Sequence, residues 1–246
     1  MVIFMNARIK LSARAALAGS QLKIAALVTA AMVLIFVFSL CNAAINTFWQ
    51  TDERFVLIAF SAVTLLLFVA AVSPLRLLLE IKHLLLAKRI KPMRRINMGA
   101  SGALKACALC VYNFFLKLFW FAAFEFVPFC GAFVFASYAE NRAVSLKAAY
   151  AVFAGLAVLA VAGLFFWLVF IQRYSKSMFY LACYKDLTAS EAIGESIRKT
   201  KGRLVEIFLF KFSFAPWLLL CAAVVPALFV IPYYKQSITC YFLNSR

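Results

Sequence analysis

The residue of this chain whose type and position most strongly suggest chemistry is a single carboxylate inside a long apolar run. Glu125 stands in the run WFAAFEFVPFCGAF, with Pro128 and Gly131 in the next two turns of a predicted helix. An ionisable group inside a membrane helix is costly unless it is paired or protonated, so it indicates a functional site by default. Because proline removes a helical hydrogen bond and glycine permits close approach, these residues predict an ion or proton site in a broken helix.

A structural role for Glu125 is the alternative interpretation. A protonated or lysine-paired glutamate can hold neighbouring helices together in a bilayer. Lys211, at the start of a later apolar segment, is one predicted partner, and Lys117 is another. In this interpretation Glu125 stabilises the helix bundle and binds no ligand.

The other reactive residue types form no catalytic or metal-binding pattern. Cys107 and Cys110 make a C-x-x-C pair, but neither a second pair nor a histidine cluster accompanies it, since His83 is the one histidine. The chain has no G-x-S-x-G, no H-E-x-x-H and no phosphate-binding glycine loop. We therefore predict no enzyme activity, no cofactor and no metal site.

The composition indicates what kind of protein must position these residues. Hydrophobic residues make up 66% of the chain and charged residues only 14%, whereas charged residues supply about a quarter of a soluble domain. The excess of 26 Lys and Arg over 9 Asp and Glu would favour nucleic acid in a soluble protein. Here the basic residues fall between long apolar runs, so we predict an all-α polytopic membrane protein and no nucleic-acid partner.

Five segments are long and apolar enough to cross a bilayer, which takes about 20 residues as a helix. The five segments are 24–45, 55–73, 118–136, 148–171 and 212–231. We assign them to one membrane domain that covers residues 1–246. Pro216 and Pro226 are predicted to kink the last segment. Gly155 lies on a small-residue face of the fourth segment, which predicts close packing of another helix.

The distribution of basic residues predicts the orientation. Lys and Arg concentrate before residue 24 and in the segments 74–105 and 172–203. The opposite side holds Arg54, Arg142, Lys147, Lys235 and Arg246. Because Lys and Arg in short loops face the cytoplasm, we predict a cytoplasmic N-terminus, and five spans then place the C-terminus outside. The basic cytoplasmic face also predicts contact with anionic lipids.

Two cytoplasmic segments have the pattern of amphipathic helices. Residues 75–90 follow Pro74 and mix leucines with basic residues, which is typical of an interfacial helix or of a continuation of the second span. Residues 188–201 begin with a capping box and continue with an apolar stripe. The residues that define this candidate interaction helix are Thr188, Glu191, Ile193, Ile197 and, as its C-terminal cap, Gly202.

The C-terminal third resembles a known family of bacterial membrane proteins. The residues that carry the resemblance are Arg173-Tyr174-Ser175, Leu187, Ser190-Glu191-Ala192, Ser196, Lys201-Gly202, Phe208, Phe212-Ser213-Phe214, Trp217 and Pro232-Tyr233. Over residues 173–242 their order and spacing are similar to those of the family termed domain of unknown function nine-seven-five. The resemblance implies a helical fold in the bacterial cytoplasmic membrane. It implies no activity, because none is established for that family.

Two functional hypotheses follow from the sequence. The first is a non-enzymatic accessory or interaction protein that binds lipid, a protein partner or a second copy of itself. The second is a small transporter or channel component that uses Glu125 in a helix broken by Pro128 and Gly131. The substitution Glu125→Gln separates them, because it abolishes flux in the second case and affects stability at most in the first.

Overall fold

The structure is a computed structural model that describes residues 2–48, 54–87, 99–141, 145–184, 186–222 and 224–244. The helices are α1 (Val2–Leu17), α2 (Gln21–Phe48), α3 (Arg54–Leu86), α4 (Ala100–Asn141), α5 (Leu146–Phe170), α6 (Ser177–Cys183), α7 (Ala189–Thr200), α8 (Leu204–Phe212), α9 (Ala215–Leu219) and α10 (Val224–Asn244). Short 3₁₀ turns follow α5 and α9. No strand occurs among these residues, so the predicted all-α membrane fold is confirmed.

Four stretches in the described ranges are long and apolar enough to cross a membrane. They are Lys23–Cys41, Phe60–Leu86, Ala100–Ala139 and Lys147–Cys183, and they correspond to the first four predicted spans. Some of these helices are much longer than a bilayer requires. At 42 residues, α4 is about 60 Å long, about twice the thickness of the hydrocarbon core. A large part of α4 therefore lies outside the hydrocarbon.

The predicted fifth span at 212–231 is wrong, because this segment is not one helix. It is divided between the end of α8, the short α9, a 3₁₀ turn and the first part of α10. Pro216 lies in the first turn of α9, and Pro226 lies in the first turn of α10. A proline costs no hydrogen bond at these positions, since the first N–H groups of a helix have no intrahelical acceptor. The two prolines begin new helices instead of kinking one.

The C-terminal helices fold back, so that α10 ends beside α1 and α3. Tyr233 of α10 packs on the buried cluster that contains Leu17 of α1. Further along α10, Gln236 Oε1 lies 2.7 Å from Nδ1 of His83 on α3. The ring of Phe210 on α8 stacks on that of Tyr241, with centroids 4.5 Å apart. We call residues 204–244 the C-terminal hairpin; its two ends lie at the same end of the bundle.

One buried core holds this end of the molecule together, and we call it the head. The core takes side chains from α1, α3, α4, α6, α7, α8 and α10, among them Ile81, Leu109 and Phe179. Large exposed apolar side chains instead cover the middle of the long helices, for example Phe36 and Phe133. Many large apolar side chains exposed along such helices mark contact with a membrane. The molecule thus combines a lipid-facing bundle with a packed head.

The described part of the segment 75–90 continues α3 instead of forming a separate helix. Residues up to Leu86 belong to α3, which runs through Pro74 without a break, and residues 88–90 lie outside the described part of the chain. Pro74 leaves the carbonyl of Ala70 without its helical donor. The thiol of Cys107 on α4 faces that carbonyl at 3.9 Å. One cysteine of the C-x-x-C pair thus has a structural contact at the proline.

The predicted helix at 188–201 is confirmed as α7. Thr188 accepts a hydrogen bond from the backbone of Glu191, and the Glu191 carboxylate accepts one from the backbone of Thr188 at 2.8 Å. Gly202 follows the helix with φ +77, a left-handed conformation that favours glycine after a helix. Local sequence signals therefore define both ends of this helix.

Candidate functional site

A polar cavity of about 360 Å³ lies in the head, where α3, α4, α8 and α10 meet. Each of these helices contributes one basic side chain to its lining, and the residues are Arg76, Lys117, Lys211 and Lys235. Glu80 of α3 is the one acidic residue among the described residues that line the cavity. We call this feature the cationic cavity.

The position of Lys211 in the cavity is set by an amide. Its Nζ donates a hydrogen bond of 2.8 Å to Oε1 of Gln172. The amide nitrogen of Gln172 donates in turn to the carbonyl of Leu168 at 2.8 Å, which holds the amide in place. Burial, together with the nearby charges of Lys235 and Lys117, lowers the pKa of Lys211 to about 7. An anion beside Lys211 would restore its positive charge.

Glu80 balances only part of the positive charge. Its Oε1 lies 3.1 Å from Nζ of Lys235, which makes an ion pair between α3 and α10. One carboxylate can neutralise one of the four basic side chains. When all four are protonated, the cavity carries an excess of positive charge that an anionic ligand would offset.

Two neutral polar groups at the cavity have atoms without a hydrogen-bond partner. Asn113 donates to Ser177 through its amide nitrogen at 2.9 Å. Its Oδ1 is buried and has no partner among the described residues, and the same is true of Oγ of Ser175. Leaving such a group unsatisfied costs about 1–3 kcal/mol. A water or a ligand group inside the cavity would remove this cost.

The lining of the cavity has the residue types that bind an anion. Ammonium and guanidinium groups with hydroxyl and amide groups bind phosphate or carboxylate oxygens. Neither a histidine nor a second carboxylate lies among the described lining residues. The arrangement can hold an anion at the base of the membrane bundle.

Glu125 does not belong to this cavity. It is 3% exposed and lies against Gly163 of α5, where an added Cβ would be 2.8 Å from Oε1. That Oε1 has no partner in the described parts of the chain. The predicted pairing with Lys211 is wrong, because Lys211 donates to Gln172 and lines the cationic cavity. Lys117, the other predicted partner, also lines that cavity.

The predicted break in α4 is also wrong, since the helix continues through Pro128 and Gly131. Pro128 frees the carbonyl of Phe124, and this oxygen would lie 3.2 Å from a Cβ added at Gly163. A Cβ added at Gly131 would likewise lie 2.9 Å from the side chain of Leu156 on α5. The neighbouring helix therefore covers the disturbed turn, which lets α4 remain continuous.

The apolar face of α7 is used within the protein. Ile193 is 5% exposed and belongs to the head core, and Ile197 packs against that core. Ser196, which the helical pattern does not single out as a contact, donates to the carbonyl of Arg173 at 2.7 Å and accepts from the backbone N–H of Lys176. Only the polar face of this candidate interaction helix, including Thr188 and Glu191, stays exposed.

The cationic cavity is not apparent in the sequence as a motif. The signal that points to it is a set of single polar residues beside apolar runs, such as Lys117, Gln172 and Lys211. Hydropathy assigns each of them to the end of a span and gives no reason to group them. Only the folding-back of α8 and α10 brings Lys211 and Lys235 to Arg76 and Lys117.

No protein-family model, curated protein or solved structure matches this chain. The class of protein is therefore defined by the fold, which is an all-α multi-pass membrane protein with a packed head. The resemblance of residues 173–242 to the family termed domain of unknown function nine-seven-five stays a prediction.

Proposed function

We propose that this protein is a non-enzymatic protein of the bacterial cytoplasmic membrane that binds a phosphate-bearing anion in the cationic cavity. The observation that supports this proposal is the convergence of four basic side chains from four helices around one carboxylate. Phosphate combines more than one negative charge with several acceptor oxygens, so it matches several separated donors better than a single carboxylate does. The role is accessory, in that binding holds a ligand or a partner and changes no bond.

We further propose that the head and both terminal helices face the cytoplasm. This orientation replaces the prediction of an outside C-terminus. The support is the distribution of basic residues, because an α10 that returns to the starting side moves Lys235 from the sparsely basic side to the strongly basic side. That bias is stronger than the one obtained with five spans. In this orientation the cationic cavity opens at the cytoplasmic leaflet, which carries a negative surface potential.

The phosphate can come from a lipid headgroup or from a free anion, and binding experiments distinguish them. The protein is reconstituted in nanodiscs of phosphatidylcholine, and binding of pyrophosphate is measured by calorimetry. In parallel, retention of phosphatidylglycerol or cardiolipin is measured by native mass spectrometry. Binding of pyrophosphate without retained lipid assigns a free anion, and retained lipid that competes with pyrophosphate assigns a headgroup. A protein partner or a second copy that stays bound would appear in the same spectra.

Lys211→Gln is the variant that tests the cavity, and Lys82→Gln is its matched control. Lys82 lies on α3 and is exposed, so its substitution removes the same charge from the head outside the cavity. Loss of a charge-assisted hydrogen bond should weaken binding by about tenfold in Lys211→Gln. Lys82→Gln should bind like the wild type. Absence of binding in the wild type, or equal losses in the two variants, would refute the proposal.

A transporter or channel component is the second candidate. The observation that favours it is Oε1 of Glu125, a buried carboxylate oxygen with no partner in the described residues. The continuous α4 and the close contact with Gly163 favour a packing role instead. Loss of flux in Glu125→Gln, with the fold intact, would support the transporter.

A further inference from the structure

A second cavity, of about 440 Å³, lies between α1 and the C-terminal hairpin. Its walls are mainly apolar and include Leu17, Trp217, Phe229 and Tyr233. Arg14 and Gln21, on either side of the α1–α2 turn, supply the polar groups. We call it the amphiphilic cleft. It differs in chemistry from the cationic cavity, which is lined by several charged side chains.

The cleft is placed to open toward lipid. Trp217 is 57% exposed and Phe229 is 62% exposed, and Leu219 beside them is 77% exposed. Such side chains at the tip of the hairpin require an apolar surrounding. From Val224 to Tyr233, α10 rises by about 15 Å, about half of the hydrocarbon thickness. The hairpin thus enters the membrane part-way from the head side, and the cleft lies along its flank.

The cleft and the cationic cavity lie on different sides of α10. Tyr233 lines the cleft, whereas its neighbour Tyr234 lines the cationic cavity together with Lys235. A ligand in one site therefore does not occupy the other. The cleft and the cationic cavity are therefore two separate candidate binding sites.

We propose that the amphiphilic cleft binds one anionic phospholipid, with an acyl chain against Trp217 and Phe229 and the phosphate on Arg14. A fully apolar ligand would leave the guanidinium without a counter-charge, and a free anion would leave the apolar walls uncovered. A phospholipid satisfies both parts, because arginine binds phosphate through two parallel N–H groups and the chain buries apolar area. Gln21 donates to the same headgroup.

Fluorescence quenching by brominated lipids tests the site. The protein is placed in phosphatidylcholine nanodiscs that contain a small, equal fraction of phosphatidylglycerol or phosphatidylcholine with brominated acyl chains. The signal of Trp217 is obtained by subtracting the spectrum of Trp217→Phe, which removes the contribution of the other tryptophans. Arg14→Gln removes the headgroup contact, and Arg8→Gln is the matched control, since Arg8 is exposed on the same helix and does not line the cleft.

In the wild type, quenching of Trp217 should favour brominated phosphatidylglycerol, with a relative affinity of about fivefold for one basic contact. This preference should disappear in Arg14→Gln and persist in Arg8→Gln. Equal quenching by the two lipids in the wild type would overturn the proposal, as would equal losses in the two variants. Absence of quenching by either lipid would show that no acyl chain enters the cleft. None of these outcomes depends on the cationic cavity, so the two proposals stand or fall separately.

Discussion

At the scale of single residues, Lys211 shows how tertiary contacts create chemistry that the sequence does not reveal. The sequence marks it as a basic residue at the start of an apolar segment and offers Glu125 as its partner. The structure places it instead beside Gln172 and near two other lysines. The partner could not be predicted, because it depends on how α8 is rotated against α5 and on the return of α10.

Anion binding should weaken as the pH rises through the pKa of Lys211, which burial lowers to about 7. Below this pH the lysine is charged and attracts the anion, and above it the lysine is neutral. Calorimetry with pyrophosphate at about pH 6 and about pH 9 measures the effect, with Lys211→Gln as the reference. The substituted protein should lose most of the pH dependence. An unchanged slope in Lys211→Gln would show that another group is responsible.

The same pKa has a consequence for the stability of the free protein. The folded pKa is below that of an unfolded lysine, so the unfolded chain binds more protons between the two values. Stability should therefore rise as the pH increases from about 7 to about 10, because the buried lysine is then neutral in the folded state. A bound anion offsets the free-energy cost of burying the charged lysine at neutral pH. Binding of the anion should therefore stabilise the folded protein.

At the scale of helices, the contact between α4 and α5 explains why Glu125 is buried. Gly163 leaves room for both the Glu125 carboxylate and the carbonyl of Phe124. The sequence predicts close packing of the fourth span at Gly155, but open space surrounds that glycine. Small residues identify a helix that can pack closely, and they do not determine which of its faces does so.

Gly163→Ala should destabilise the protein, and Gly155→Ala should not. The added Cβ at position 163 would lie 2.8 Å from Oε1 of Glu125 and 3.2 Å from a backbone oxygen that cannot move independently. Such overpacking costs about 1–3 kcal/mol. The same substitution at position 155 meets nothing within 4 Å. Thermal unfolding in detergent compares the two variants, and equal midpoints would contradict the packing that we describe.

The helices also show which signals in the sequence are sufficient. The capping box at Thr188 and the glycine at position 202 are local, and α7 begins and ends where they predict. The fifth span is predicted from apolar residues alone. Hydropathy does not register that Pro216 and Pro226 are each well placed in the first turn of a helix, so it joins four separate elements into one.

At the scale of the whole molecule, composition predicts the membrane class and the structure adds the head. Long apolar runs and few charges are sufficient to predict the four candidate spans among the described residues. The cationic cavity requires residues from 76 to 235 to meet, and no local pattern encodes that meeting. The functional proposal therefore depends on the arrangement of the head far more than on any single motif.

The central claim is that an anion binds in a cytoplasmic cavity, and Cys110, which lines that cavity and is partly exposed, permits a direct test. The rate at which a membrane-impermeant, negatively charged thiol reagent modifies Cys110 is measured in inverted and right-side-out membrane vesicles, with and without pyrophosphate. We predict modification in inverted vesicles only, and slower modification with pyrophosphate. A cysteine introduced by Lys82→Cys on the exposed face of α3 should be modified from the same side with no such slowing. Modification of Cys110 from the opposite side, or slowing that is equal at both cysteines, would contradict the account.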